Sequence, residues 1–180
     1  DAFKPVTRYF DRITRPEQII QSFPAAVQTM LDPADCGPAC IALSQDIQGQ
    51  IFDYPEDFFK ERIHAIRRPR PDEFQIKEAA EKIKSSKNPI IISGGGVFYS
   101  DAMEELSKFA IKHNIPVTQT VMGYSTMKRD HSHYAGQIGG LGGKNTNSLA
   151  KKTDLAIAVG TKLADFTTGS WTNFENENFK

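Results

Sequence analysis

Three groups of residues are of types, and at spacings, that could do chemistry. The first is Gly94, Gly95 and Gly96, directly after the apolar run Ile90, Ile91, Ile92. Glycines between a strand and a helix permit a tight turn and let a pyrophosphate approach the helix N-terminus. The full dinucleotide fingerprint asks for a further glycine two residues on, where Phe98 and Tyr99 stand. A turn that merely reverses the chain fits the same residues at least as well. The second group is Gly136, Gly139, Gly140, Gly142 and Gly143, followed by Lys144. Glycine at that density lets backbone lie close to a ligand or another subunit, at an entropic cost to folding. Asn145 after the lysine breaks the order of a phosphate-hydrolysing loop, which is rejected. The third is His131 and His133 around Ser132. Such a pair could chelate a metal, but sites want three or four ligands, and only Asp130 is adjacent. The two read as solvated loop histidines.

Other signals are weaker. Cys36 and Cys40 are four apart, which fits neither a thioredoxin-type pair nor a four-ligand zinc site. A disulfide is geometrically possible, although a chain this poor in cysteine suggests a reducing compartment. Cys40 reads as a small apolar residue at a strand start. No Gly-x-Ser-x-Gly elbow supports Ser-His-Asp hydrolysis. Asp165 follows the last apolar run at the edge where α/β sheets place ligands, and could equally cap the next helix.

The elements that must position these residues follow from hydrophobic spacing. Pro16 and Glu17 open a helix whose apolar face is Ile19, Ile20, Phe23, Val27, Met30 and Leu31, with Pro24 expected to kink or restart it. Residues 39–43 read as a buried strand, 44–54 as irregular and 55–60 as a helical turn. Basic residues alternate with proline over 67–71, the pattern of an extended connector. The expected organisation is therefore 1–66, a linker at 67–73, and a second domain over 74–180. In the latter, Asp72 caps a helix carrying Ile76, Ala79, Ala80 and Ile83, and a strand follows at 90–93. The glycine turn leads to a helix with Met103, Leu106, Phe109 and Ala110 inward, ended by Asn114. A second strand lies at 115–118. A looser glycine-rich region spans 122–143, a short helix 146–151 and a third strand 155–159. Apolar runs alternating with helices specify a parallel sheet covered on both faces, a Rossmann-like α/β layout with about three countable strands. By this count the sheet is incomplete, since doubly wound sheets have five or six strands.

Composition narrows the function. The 180 residues hold 22 Lys+Arg and 22 Asp+Glu, so the clustered basic excess of a nucleic-acid binder is missing. No apolar run approaches a bilayer span, and no basic start followed by an apolar run marks a secretory signal. The expectation is a cytoplasmic protein with a small-molecule substrate and neither nucleic acid nor membrane as partner.

Several segments together resemble the thiamine-diphosphate-dependent enzymes related to acetohydroxyacid synthase and pyruvate oxidase. Arg15-Pro16-Glu17 and the run from Gly37 to Gln48 are similar to the end of that family's pyrimidine-binding domain. Pro89 through Gly96 resembles the "PxIxxGGG" start of its central Rossmann-like domain. His131 to Gly143 loosely matches a glycine-rich loop, and Thr153 through Asp165 looks like "ADLxxxxGxRxxD". The stretches RYFDRITRPEQ, LSQDIQG, YPEDFF, SGGGVFYSDA and DFTTGSW are similar to the branch that opens a cyclic 1,2-dione in inositol catabolism. The resemblance implies hydrolytic C–C cleavage with thiamine diphosphate and a divalent metal, Mg²⁺. It also implies that this chain is an internal piece of a longer oligomeric enzyme. The family's activating glutamate and its "GDG…N" metal motif are not found here, so no catalytic and no metal-binding residue is assigned. Partners are then the rest of the polypeptide and a second copy. In some relatives the central domain holds FAD or ADP. The matching positions are Gly94, Gly95, Gly96, Gly139 and Gly142, with Lys162 where FAD-binding relatives carry arginine. The segment is expected to be mainly structural. The rival readings are a free-standing FAD-, NAD- or ADP-binding module and an interaction domain with unfinished sheet edges.

Overall fold

A computed structural model describes residues 1–66 and 68–180. Arg67, where the expected connector begins, lies outside the described residues. The chain divides into two compact units, Asp1–Arg70 and Pro71–Lys180.

The first unit is a strand–helix–strand layer. Strand β1 (Tyr9–Ile13) pairs in parallel with β2 (Ala39–Leu43), Tyr9 opposite Ala39 through Ile13 opposite Leu43. Helix α1 (Ile19–Leu31) connects them, after a 3₁₀ turn at Pro16–Gln18. Sequence spacing points only to the helix and β2. The Asp11-Arg12 pair interrupts any apolar run in β1. The Asp11 carboxylate is accommodated because it accepts from Ser22 Oγ, from Gln18 Nε2 (3.0 and 3.1 Å) and from the Arg12 amide (2.8 Å). Those donors, the Ser22 hydroxyl first, hold its carboxyl below the usual carboxylate range. The buried residues of α1 are Ser22 and Ala26, while Phe23, Met30 and Leu31 of the expected apolar face are exposed. Small residues four apart let the helix lie close on the strands. Pro24 forfeits one backbone bond, yet the helix continues to Leu31. Helix α2 (Gln45–Gln48) and a 3₁₀ turn at Glu56–Phe58 complete the unit's regular elements.

The second unit is built on a four-stranded parallel sheet. Helix α3 (Glu73–Ser85) is capped by Asp72, which accepts from the Phe74 amide at 2.8 Å. After it come β3 (Pro89–Ser93), the short α4 (Gly95–Tyr99), α5 (Met103–His113) and β4 (Val117–Gln119). Then follow β5 (Tyr134–Gln137), α6 (Lys144–Lys152), β6 (Leu155–Val159) and α7 (Asp165–Thr168). The order across the sheet is β5-β4-β3-β6. Strand β5 has no signature in the sequence, since Tyr-Ala-Gly-Gln neither alternates nor forms an apolar run. It adds a fourth strand to the three that can be counted there.

Alternation along β3 builds the core. Ile91 packs on one face with Val97, Leu106, Ala110, Ile115, Val117 and Met127; Ile90 and Ile92 pack on the other with Ile138 and Ala150. Asn114 ends α5 in the left-handed conformation (φ 52°). At the amino edge the Asp154 carboxylate accepts from Ser86 Oγ and from the amides of Lys87 (2.8 Å) and Asn88 (3.0 Å), clamping the starts of β3 and β6 together. These donors, the Ser86 hydroxyl foremost, hold its carboxyl below the ordinary range. On the outer side of β6, Lys180 donates to the Asp154 carbonyl (3.0 Å) and accepts from the Ala156 amide (3.1 Å). That bracketing of Leu155 is the hydrogen-bond pattern of a parallel neighbour.

Candidate functional site at the carboxyl edge of the sheet

The register places Ser93 beside both Gln119 and Val159, and Gln119 beside Gln137. The four following loops therefore emerge on one edge. β3 leads to β4 on one side while β6 lies on the other, so the order reverses between β3 and β6. A reversal of this kind is where open α/β sheets bind ligands. It brings Gly94, Gly95 and Gly96 to the start of the β6–α7 loop, two residues from Lys162.

What the glycines do there is visible from the space beside each. The Gly94 amide donates to the Val159 carbonyl at 2.9 Å, and a side chain on Gly94 would overlap Thr161 and the Gly160 carbonyl. The Gly96 amide donates to the Gly160 carbonyl at 2.8 Å, and a Cβ on Gly96 would stand 2.7 Å from the Gly160 Cα. Gly160 has φ +59°, and its own Cβ would stand 2.6 Å from the Val97 nitrogen. A Cβ on Gly95 would meet the Met122 carbonyl at 3.0 Å. The triplet thus interlocks with neighbouring backbone.

The second cluster is held the same way. Gly139 (φ +90°) is clasped by the Asn147 side-chain amide, which accepts from its N–H and donates to its carbonyl, both at 3.0 Å. A side chain on Gly139 would overlap the Phe166 carbonyl, and one on Gly142 would stand 2.6 Å from the Gln137 carbonyl. Lys162 is exposed. Asn147 and Phe166 carry no signal in the sequence beyond an amide in a first helical turn.

Beneath the edge runs a buried polar seam. Ser93 Oγ donates to the Thr118 carbonyl (3.1 Å) and lies 2.7 Å from Thr126 Oγ1. Gln119 Nε2 donates to the Met127 carbonyl (2.9 Å), fixing the path of the β4–β5 connection. Above it the rim is apolar: Tyr99, Met122, Leu141, Phe166 and Trp171 are all more than half exposed. Ser170 and Trp171 have φ of 54° and 67°, so with Gly169 they make three consecutive left-handed residues that present the indole outward.

The remaining candidates separate from this edge. His131 and His133 lie before β5, at the opposite edge. Asp165 is the first residue of α7, whose N-cap is Ala164. Cys36 and Cys40 are both free thiols in the first unit. Among the described residues no group of three or more His, Cys, Asp or Glu could hold a metal ion, and Gly-Asp-Gly does not occur in the sequence. The protein backbone opposite Gly94, Gly96, Gly139 and Gly142 accounts for glycine at these positions through loop packing alone. Among the described residues, too, no helix is long and apolar enough to cross a membrane.

Comparison with known proteins agrees on one family. The chain is 49% identical over 176 residues to 3D-(3,5/4)-trihydroxycyclohexane-1,2-dione hydrolase of Clostridium perfringens, covering 98% of this chain and 28% of that protein. It is 46% identical over 180 residues to the proteins of the same name from Bacillus licheniformis and Bacillus subtilis, covering 100% of this chain and 28% of each. The chain therefore spans about 28% of the length of these curated relatives. Residues 76–180 match the family described as "Thiamine pyrophosphate enzyme, central domain". This chain belongs to the thiamine pyrophosphate enzyme family and carries its central domain on the four-stranded sheet just described.

Proposed function

We propose that the chain is a scaffold segment of a thiamine-diphosphate-dependent hydrolase. That enzyme opens trihydroxycyclohexane-1,2-dione by C–C bond hydrolysis in inositol catabolism. The observation that carries this reading is the identity of 46–49% along essentially the whole chain to relatives bearing that name. The scaffold role is supported by the glycines, whose open faces are spent on the backbone of Gly160, Met122, Phe166 and Gln137. In this reading thiamine diphosphate and Mg²⁺ are held by parts of the enzyme outside residues 1–180, and the cofactor supplies the carbanion chemistry of C–C cleavage. Residues 1–180 contribute the interlocked loops and an apolar rim that packs against the rest of the polypeptide or a second copy, in the cytoplasm.

The test is a ring-opening assay with the dione on the full-length protein. Turnover is expected only with thiamine diphosphate and Mg²⁺ together, and residues 1–180 alone are expected to be inactive. A full-length protein that binds both and leaves the dione intact overturns the assignment. The scaffold role is tested separately by titrating FAD and ADP. Saturable binding weakened by Gly95→Val would make the glycine edge a nucleotide site instead.

A further inference from the structure

The two edges of the four-stranded sheet are finished differently. Edge strand β5 is closed by its own chain. Its register shifts between Val117 and Thr118, and Gly136 turns to φ +98°. The Tyr134 amide donates to the His131 carbonyl at 2.9 Å, and the Ala135 carbonyl accepts from Thr146 Oγ1 on α6. A broken register and a side-chain hydroxyl on an outward carbonyl are devices by which a sheet refuses a further strand. Edge strand β6 has neither. Its register with β3 is unbroken from Leu155 to Val159. The Gly94 amide donates to the Val159 carbonyl, so alternation turns the odd-numbered residues of β6 to β3 and the even-numbered ones outward. Of the outward groups, the Asp154 carbonyl and the Ala156 amide are already bonded to Lys180. The Ala156 carbonyl and the Ala158 N–H and carbonyl have no partner among the described residues, and Ala158 is exposed.

Lys180 reaches this edge on a tethered segment. Phe174 packs against the cluster of Ile90, Ile92, Ile138 and Ala150, and stacks on Phe179 with ring centroids 4.3 Å apart. Lys151 bridges to Glu175 at 2.5 Å, and Asn176 Nδ2 donates to the Lys152 carbonyl at 3.0 Å. Residues 160–179, with α7 among them, are long enough for the crossover that joins two parallel strands. We propose that β6 is the growing edge of the sheet, and that the residues directly after Lys180 run along it as a fifth parallel strand. The two bonds around Leu155 set its register. The second residue past Lys180 lies opposite Ile157, accepting from the Ala158 N–H and donating its own N–H to the Ala156 carbonyl. The fourth lies opposite Val159. The strand brings β6 inside the sheet, and its end carries the following loop to the carboxyl edge, where Gly160 and Lys162 stand. This placement rests on the reading of residues 1–180 as a segment of a longer enzyme, since the chain spans 28% of the length of its curated relatives.

Single-residue hydrogen exchange on the full-length protein tests the placement. With the fifth strand in place the Ala158 amide is bonded. It should exchange at least about a hundredfold slower than an open amide, at a rate independent of protein concentration. Exchange of Ala158 at the open-amide rate overturns the strand. So does protection that disappears on dilution, which would give the edge to a second copy. Ala158→Pro removes the donor while a free edge tolerates it. That variant should lose protection in the stretch past Lys180 and keep it in β4; a stretch past Lys180 that stays protected also overturns the strand. The dione assay reads a separate property. A full-length protein inactive on the dione but protected at Ala158 loses the assigned reaction and keeps the strand.

Discussion

The two units spend similar sequence very differently. In the second unit β3 is wholly buried at Ile90, Ile91 and Ile92, because α5 covers one face and α6 the other. In the first unit β2 carries an equally apolar run, Ala-Cys-Ile-Ala-Leu, yet none of its residues is buried. One helix covers one face of a two-stranded sheet there, and the fully buried apolar side chains are few: Ile13, Ala26 and Ile47. Apolar content thus marks a strand, but burial depends on how many layers reach it. The same contrast governs the glycines. Gly160 and Gly139 are trapped between backbones at positive φ, while Gly49 at the end of α2 has φ −86° and its nearest obstacle, the Asp46 carbonyl, at 3.7 Å.

Substitutions can sharpen or break that contrast. The largest effect is expected for Gly160→Val, which combines a left-handed backbone with overlap onto Gly96 and Val97. A loss above about 4 kcal/mol should appear as a collapsed denaturation midpoint or no folded protein. Next, Ile91→Ala should cost about 2–5 kcal/mol by denaturant unfolding, whereas Ile41→Ala in half-buried β2 should cost about half as much. Equal costs would mean that β2 is covered in solution as fully as β3. Third, Asp154→Asn should cost about 1–2 kcal/mol at pH 7 through the carboxylate's three donors. Because folding lowers this carboxyl's pKa, its contribution is full above the unfolded value near pH 4 and fades as pH drops through the folded one. The stability curves of the wild-type protein and the Asp154→Asn variant should therefore converge below about pH 4. Fourth, and smallest, Gly49→Ala should be neutral or stabilising by about 0.5 kcal/mol, since the helical backbone there suits any side chain.

Much of the fold is legible in the residues because the second unit obeys simple rules. β3 and β6 are unbroken apolar runs, α5 shows a clear stripe that ends at Asn114, and Asp72 is a visible cap. β1 and β5 escape for opposite reasons. β1 hides behind the charged pair Asp11 and Arg12, and the carboxylate is accommodated largely through Ser22 and Gln18 of a segment still to come, beside the Arg12 amide. β5 is an edge strand defined by pairing with β4 rather than by its own composition. The face of α1 follows its spacing only in part: Ile19, Ile20 and Val27 are half-buried while Phe23, Met30 and Leu31 are exposed, and the fully buried positions are the small Ser22 and Ala26. The glycine cluster is equally visible, but its role is not. Whether a missing side chain makes room for a ligand or for another loop depends on what stands opposite, and here that is backbone distant in sequence, such as Gly160 opposite Gly96.

By itself, then, the sequence determined the family, the alternation that makes a parallel sheet, and the places where the chain must turn, since these rest on spacing and local conformational preference. Only the tertiary structure decided the strand order β5-β4-β3-β6 and the interlocking of Gly94 and Gly96 with Gly160. Each of these depends on which groups meet across the fold, and hard contacts and hydrogen bonds act only between groups that have already been brought together.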